Sequence, residues 1–319
     1  MKKNISKHDL AVRWLIREHQ YIKHQKQTGD IPEGNIVSLI EEVNLSMGSY
    51  FLAHAEDESW LGRKFICENK SGRQSWPSVL SDINLLGPFN SASLEGNHVT
   101  FSYIAPSSRR RSIFFQSLLT DPMGEVDFCF IRDFDGALPS GDKFWQVDHL
   151  SAERMAREER HFQIHTELSL KVLKTQGVIF DPACSSGDFL ASLANKLPNF
   201  NYIGSDISPK MIEFARERHK ERPISFSIGD AMSSRQRCDI LILRFLNDEV
   251  MQIGSAALAF KHLIDLLNPG GIAFVFGHTP VLVPITDLAS ELGFEVIKNT
   301  ASSLDKCSIF QFYMLRKHP

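Results

Sequence analysis

Two short apolar runs in this chain each end on an acidic residue, and the stretch between them has the chemistry of a ligand site. Val178-Ile-Phe-Asp181 leads into a loop of small residues, Ala183, Cys184, Ser185, Ser186 and Gly187, and then into an amphipathic segment. Tyr202-Ile-Gly-Ser-Asp206 is the second run. Small side chains let a loop backbone come close to a bound molecule at the carboxyl end of a strand. A carboxylate such as that of Asp206 accepts two hydrogen bonds at once, which is what holding a ribose diol requires. The pattern reads as strand, tight loop, helix, strand. This is the repeating unit of a doubly wound sheet, in which the second acid takes the ribose.

Two cofactor classes use this arrangement, dinucleotides and S-adenosylmethionine. A dinucleotide needs three loop glycines, because its pyrophosphate must touch bare backbone and a helix N-terminus. Only Gly187 is a glycine here. A sulfonium ligand has no pyrophosphate and tolerates Ala183 and Ser185. The segment resembles the first motif of the class I S-adenosylmethionine-dependent methyltransferases, (D/E)-x-G-x-G-x-G, with Asp181, Ala183, Ser185 and Gly187 at its four positions. The resemblance continues in family order over about residues 150 to 319. Asp206-Ile-Ser-Pro-Lys-Met211 matches the second motif, and Ser227-Ile-Gly-Asp-Ala231 the segment after strand three. Cys238 to Asp248 resembles strand four and its loop, and Leu266-Leu-Asn-Pro-Gly-Gly the turn into strand five. Phe294-Glu-Val-Ile297 and Ser308 to Leu315 read as a closing antiparallel pair.

The resemblance implies a cofactor site made of Asp181, Ala183, Cys184, Ser185, Gly187, Asp206, Ile207, Met211, Asp230, Ala231, Arg244 and Phe245, with S-adenosyl-L-methionine as the cofactor. Asp230 would meet the adenine amino group. Candidate catalytic residues come from the ends of strands four and five: Arg244, Asn247, Asp248 and His278. An arginine after the apolar run Ile240-Leu-Ile-Leu243 either holds a carboxylate in its planar fork or forms a buried ion pair. Asn247 and Asp248 either orient an acceptor or cap a helix. His278 is either a general base or a turn histidine. Cys184 reads as a small buried filler. His161 and His165 lie one helical turn apart without a marked third ligand, so no metal is expected.

Strand four ends in Arg244-Phe-Leu-Asn247, without the paired prolines by which amide and adenine methylases of the family hold a planar nitrogen. A non-planar small-molecule acceptor is left: an alcohol, acid, amine, thioether or activated carbon. Two alternatives stand beside methyl transfer. One is transfer or cyclisation of the aminocarboxypropyl group, which releases methylthioadenosine. The other is a non-catalytic, regulatory S-adenosylmethionine-binding protein.

The elements that must position these residues follow from the rest of the chain. Its 319 residues suffice for two domains, and a net charge of −3 with pI near 6.5 gives no reason to expect nucleic acid or an anionic membrane as partner. A homodimer is left open. Five scattered cysteines suggest reduced thiols and a cytoplasmic protein, and the N-terminus lacks the apolar stretch of a signal peptide. The expected fold is α/β: a doubly wound, mostly parallel seven-stranded sheet over residues 149 to 319. Residues 1 to 148 would form an α+β domain that covers the acceptor site or dimerises. There, residues 8 to 27 and Ile36 to Ala55 read as helices. His98–Ile104, Ser112–Leu119 and Glu125–Ile131 read as a small antiparallel meander.

Overall fold

The computed structural model describes residues 31–42, 49–64, 67–68, 74–75, 79–130, 148–247 and 250–319. The expected helix over 8 to 27 and the site candidate Asp248 lie outside them. The chain divides into two compact units, Met1–Gly136 with Asp305–Phe310, and Ala137–Leu304 with Gln311–Pro319. The division thus follows Gly136, ahead of the expected boundary at 148, and a short late segment belongs with the first unit.

The first unit is built on a six-stranded sheet. Its strands are β1 (Ile36–Glu42), β2 (Tyr50–Ala55), β3 (Glu58–Arg63), β6 (Leu85–Glu95), β7 (His98–Ile104) and β8 (Glu125–Asp127), in the order β1-β7-β6-β3-β2-β8. A two-stranded ribbon of β4 (Cys67–Glu68) and β5 (Gln74–Ser75) stands apart. Two expectations are corrected here. Where a helix is expected from Ile36 to Ala55, the described residues form β1 and β2: β1 pairs antiparallel with β7 from Ile36 opposite Ile104 to Glu42 opposite His98. Its burial alternates along the strand, the period-two pattern that Val37 and Leu39 permit as readily as a helical one. Ser112–Leu119 is not a strand: helix α1 spans Ser108–Thr120, started by Ser107, whose hydroxyl accepts from the Arg110 N–H. Phe114, Phe115 and Leu118 fall on one side of that helix and are buried. The Phe114 ring stacks on Trp60 of β3 at 4.5 Å between centroids.

The second unit carries the site. Helices α2 (His149–Glu158) and α3 (Arg160–Leu173) lead into β9 (Gly177–Asp181), α4 (Asp188–Lys196), β10 (Phe200–Asp206), α5 (Pro209–Arg218) and β11 (Ile224–Ile228). Then come β12 (Cys238–Leu243), α6 (Ile253–Ile264), β13 (Leu267–Val275), α7 (Ile285–Glu291), β14 (Phe294–Ser302) and β15 (Ile309–Lys317). The seven strands stand in the order β11-β10-β9-β12-β13-β15-β14. Strands β9 to β13 run parallel to one another, and β15 runs antiparallel to β13. This is the expected doubly wound, mostly parallel sheet. Ile240, Leu241, Ile242 and Leu243 are all fully buried, as a central strand covered on both faces must be.

The order reverses between β9 and β12. From β9 the chain winds outward through β10 and β11, then returns to start again at β12 on the other side. Two crossovers leave this point in opposite directions, which opens a crevice at the carboxyl ends of the strands. Asp181 and Arg244 are the residues delivered there. Among the described residues no helix is long and apolar enough to cross a membrane.

Candidate functional site

The loop after β9 owes its shape to two unusual backbone positions. Ser185 adopts φ +52° and Gly187 φ +75°. At Gly187 this conformation coincides with a lack of space, because a Cβ there would lie 2.6 Å from the Phe226 ring and 3.2 Å from His219. A glycine is therefore required where the resemblance expects one. Ser185 holds a left-handed conformation that costs a side-chain-bearing residue about 1–2 kcal/mol. It is held by its backbone N–H, which donates to Asp206 Oδ2 at 2.9 Å. The loop is also tied to β10 by the Cys184 N–H, which donates to the Ser205 carbonyl at 2.8 Å.

Asp206 is thereby fixed before any ligand arrives. Oδ2 accepts from Ser185, and Oδ1 accepts from the Ser208 N–H at 2.9 Å. A carboxylate has about four acceptor positions, so each oxygen keeps one for a further donor. That is the capacity a ribose diol needs. Beside it, Ile207 is 71% exposed, Ile228 at the end of β11 is 56% exposed and Met232 is 40% exposed. Asp206 and Ile228 are register partners across β10 and β11. Uncovered apolar side chains at the ends of two adjacent strands offer a surface to a planar base. Asp230 caps the turn Ala231–Ser233 through Oδ1, which accepts from the Met232 N–H at 2.9 Å. Its second oxygen takes no part in that cap.

Other expected contacts fall behind the loop. Cys184 is fully buried, its sulfur lies against Gly204, and burial pushes its thiol up, away from any thiolate role. Met211 is buried, and its sulfur accepts from the Ser185 hydroxyl at 3.8 Å. Met211 therefore supports the loop from below. Ala183 donates its N–H to Asp181 Oδ1 at 3.1 Å.

Arg244 takes up the buried ion pair that was one of its two readings. Its Nε donates to Asp181 Oδ2 at 3.0 Å, Nη2 donates to the Cys184 carbonyl at 2.8 Å, and Nη1 donates to Glu159. Side-chain exposure is 8% for Arg244, 7% for Glu159 and 0% for Asp181. The guanidinium thus links the break between α2 and α3 to the cofactor loop, and the buried ion pair is the arrangement found. An arginine isolated among apolar neighbours must find such partners. One guanidinium faces two carboxylates, and their titration divides accordingly. Burial raises Asp181 to about 6 even though Arg244 pulls it down. Glu159 is also pushed up by burial, but Arg244 and then His278 outweigh this and hold it below the usual range. Burial alone would lower Arg244; the two carboxylates more than reverse that.

Glu159 was not among the residues singled out from the sequence. It ends α2 and precedes α3, and its side chain makes no cap bond. His278 is half-buried, with Nε2 3.6 Å from Glu159 Oε1 and its ring edge-on to Phe162. His161 is pushed down to about 4, first by burial and then by His278 and His165. Phe162 stacks on Phe276, and Phe276 on Phe312, which seats α3 over the ends of β13 and β15. Phe245, Leu246 and Asn247 are buried, and Asn247 forms a bridge with Val281. The Asn247 Oδ1 and Thr279 Oγ1 atoms are buried without a hydrogen-bond partner among the described residues. No three side chains of metal-ligating type come together among the described residues.

Residues 179–271 match a family model described as a methyltransferase domain. Isonocardicin synthase from Nocardia uniformis subsp. tsuyamanensis is 26% identical over 234 residues, 73% of this chain and 77% of that protein. Malonyl-[acyl-carrier protein] O-methyltransferase 1 from Ilyobacter polytropus is 29% identical over 131 residues, 40% of this chain and 48% of that protein. Among solved structures, the N-methyltransferase NodS from Bradyrhizobium japonicum WM9 in complex with S-adenosyl-L-homocysteine is 18% identical. It covers 51% of this chain and 87% of that one, with a TM-score of 0.39.

Proposed function

Since the chain belongs, through its second unit, to the class I S-adenosylmethionine-dependent methyltransferase family, we propose that it transfers the methyl group of S-adenosylmethionine to a small-molecule acceptor. The cofactor is S-adenosylmethionine, and the residues present fit it. The observation that carries the reading is Asp206, whose carboxylate is oriented by two backbone N–H groups and keeps one acceptor position on each oxygen. Asp206 would hold the ribose, Ile207 and Met232 would cover the base, and the Ala183 to Gly187 backbone would line the rest of the cofactor.

When bound, the sulfonium supplies an activated carbon for in-line displacement by a nucleophile. The chain's own task is to hold the two partners at near-attack distance and to exclude water. Arg244 fixes the loop through the Cys184 carbonyl. His278 stands half-buried beside Glu159, where it would take a proton from an acceptor that must lose one. Asn247 Oδ1 and Thr279 Oγ1 are buried acceptors at the ends of the same two strands, suited to a polar acceptor group. Phe245, Leu246 and Asn247 at the start of the loop after β12 are packed into the core, and Leu246 accepts from the Leu282 N–H. These described residues offer no open cradle for a planar base, which supports a small acceptor over a nucleic acid.

A second reading uses another carbon of the same sulfonium, transferring or cyclising the aminocarboxypropyl group. One observation favours keeping it. The match extending over 234 residues, longer than the second unit alone, is to a protein named a synthase. Incubation with S-adenosylmethionine and a metabolite extract, followed by mass spectrometry, separates the two. S-adenosylhomocysteine together with a methylated acceptor supports methyl transfer. Methylthioadenosine replaces that reading by the second. Binding without turnover on any acceptor would leave a regulatory protein.

A further inference from the structure

The cluster at the switch point is not electrically balanced. Asp181 at the end of β9 and Glu159 at the break between α2 and α3 are two carboxylates, and both contact one guanidinium, that of Arg244 after β12. Among the described residues, the other titratable groups facing them are His278 after β13, His161 on α3 and the buried Cys184 thiol. His278 adds positive charge only when protonated, and burial holds His161 neutral. Asp181 and Arg244 alone would make a neutral pair. Glu159 adds a second buried negative charge to a site that contacts the cofactor loop at Cys184.

The cost of sharing one guanidinium falls on Asp181, which burial raises to about 6, while Arg244 and His278 hold Glu159 ionised. Glu159 lies at a helix start, yet its side chain caps nothing and turns to Arg244 instead. A positive ligand would balance it. The cofactor carries one positive charge on sulfur before transfer, and the thioether that remains afterwards carries none, whichever carbon is transferred.

We infer that Glu159 is a positioning residue which, through Arg244, sets a surplus negative charge beside the cofactor loop and so favours the charged sulfonium over the uncharged thioether product. This rests on the S-adenosylmethionine reading of the site. It assigns to the helix pair in front of β9 a role in exchanging spent cofactor for fresh.

The test uses the full chain and calorimetric titration with S-adenosylmethionine and with S-adenosylhomocysteine, at pH 7 and fixed ionic strength. Glu159→Gln keeps an oxygen for Arg244 and removes the charge. Sulfonium affinity should then fall about tenfold, while thioether affinity changes less than about threefold. Parallel weakening of both ligands would mean that Glu159 only shapes the loop, and no change in either would remove it from the site; both outcomes overturn the proposal. If Glu159→Gln does not fold, the wild-type chain decides. Asp181 is raised to about 6, so lowering the pH from 7 to 5 removes the surplus charge and should reduce the ratio of the two affinities. The cofactor's own amine and carboxylate do not titrate in that range. A constant ratio overturns the inference. Failure of the wild-type chain to bind either ligand would instead refute the cofactor assignment.

Discussion

Replacing Arg244 by lysine separates an anchoring arginine from a ligand-binding one. The guanidinium serves three acceptors in different directions: Asp181, Glu159 and the Cys184 carbonyl. A lysine ammonium carries its donors on one atom and has no planar fork, so it cannot reach all three. At least one buried carboxylate then loses its cation. Breaking such a pair costs about 3–5 kcal/mol. Exposures of 8%, 7% and 0% mean that solvent screening takes little from this figure. For a unit of this size each kcal/mol moves the melting temperature by about 2–4 °C, so Arg244→Lys should lower it by about 6–20 °C. Arg244→Met, which leaves two carboxylates and no cation, should lower it at least as far. Scanning calorimetry on the three proteins is the assay, with activity measured per folded molecule well below the transition. If Arg244→Lys melts within about 2 °C of the wild type yet has lost turnover, the anchoring argument fails and Arg244 recognises a ligand.

Further outcomes follow from the same geometry. Asp206→Ala should weaken S-adenosylhomocysteine binding by about 1.5–3 kcal/mol for each charge-assisted hydrogen bond lost; equal affinity in calorimetry would put the ribose elsewhere. Gly187→Ala adds a Cβ 2.6 Å from the Phe226 ring at φ +75°. It should cost about 2–5 kcal/mol in urea unfolding, and a loss under about 0.5 kcal/mol would show that the loop relaxes freely. His161 is lowered from 6.5 to about 4, so its neutral form stabilises the fold fully above pH 6.5, and that contribution is lost as pH falls toward 4. His161→Gln should flatten the fall of melting temperature with pH in that window; an unchanged slope would assign the acid sensitivity to other groups. Asp181 acts in the opposite sense. Its raised value favours the fold below pH 3.8, and this contribution is lost as pH rises through about 6.

The sheet of the second unit was legible because its signals are local. Asp181 and Asp206 each end an apolar run, and Ser208-Pro209 marks a helix start that the structure repeats, with the Ser208 hydroxyl accepting from Met211. Arg244 was visible as a misfit on an apolar strand, but its partners were not. Glu159 lies 85 residues away in sequence, and nothing in the helical pattern around Arg157 and Arg160 separates it from a solvated face. The one available signal was the doubled Glu158-Glu159, which the structure places at the break between α2 and α3. In the first unit, Val37, Leu39 and Ile40 satisfy both periods, and the pairing with β7 decides for a strand. Ile113-Phe114-Phe115 has the composition of a strand, yet the Ser107 cap and the packing of Phe114 on Trp60 make it a helix.

The late segment Asp305–Phe310 has a consequence for synthesis on the ribosome. Ile309 lies in the same apolar cluster as Phe51, Trp60 and Phe128, and it exchanges backbone hydrogen bonds with Leu80. The first unit therefore cannot finish its core when its own strands leave the exit tunnel. It must wait until β9 to β14 have been translated, several seconds to tens of seconds later at about 5–20 residues/s. Nascent chains arrested before residue 305 should expose Trp60 and Phe128 to protease and dye, and chains extended by a linker that carries Phe310 clear of the tunnel should protect them. The two units are linked in time: the first to be translated is among the last to be completed.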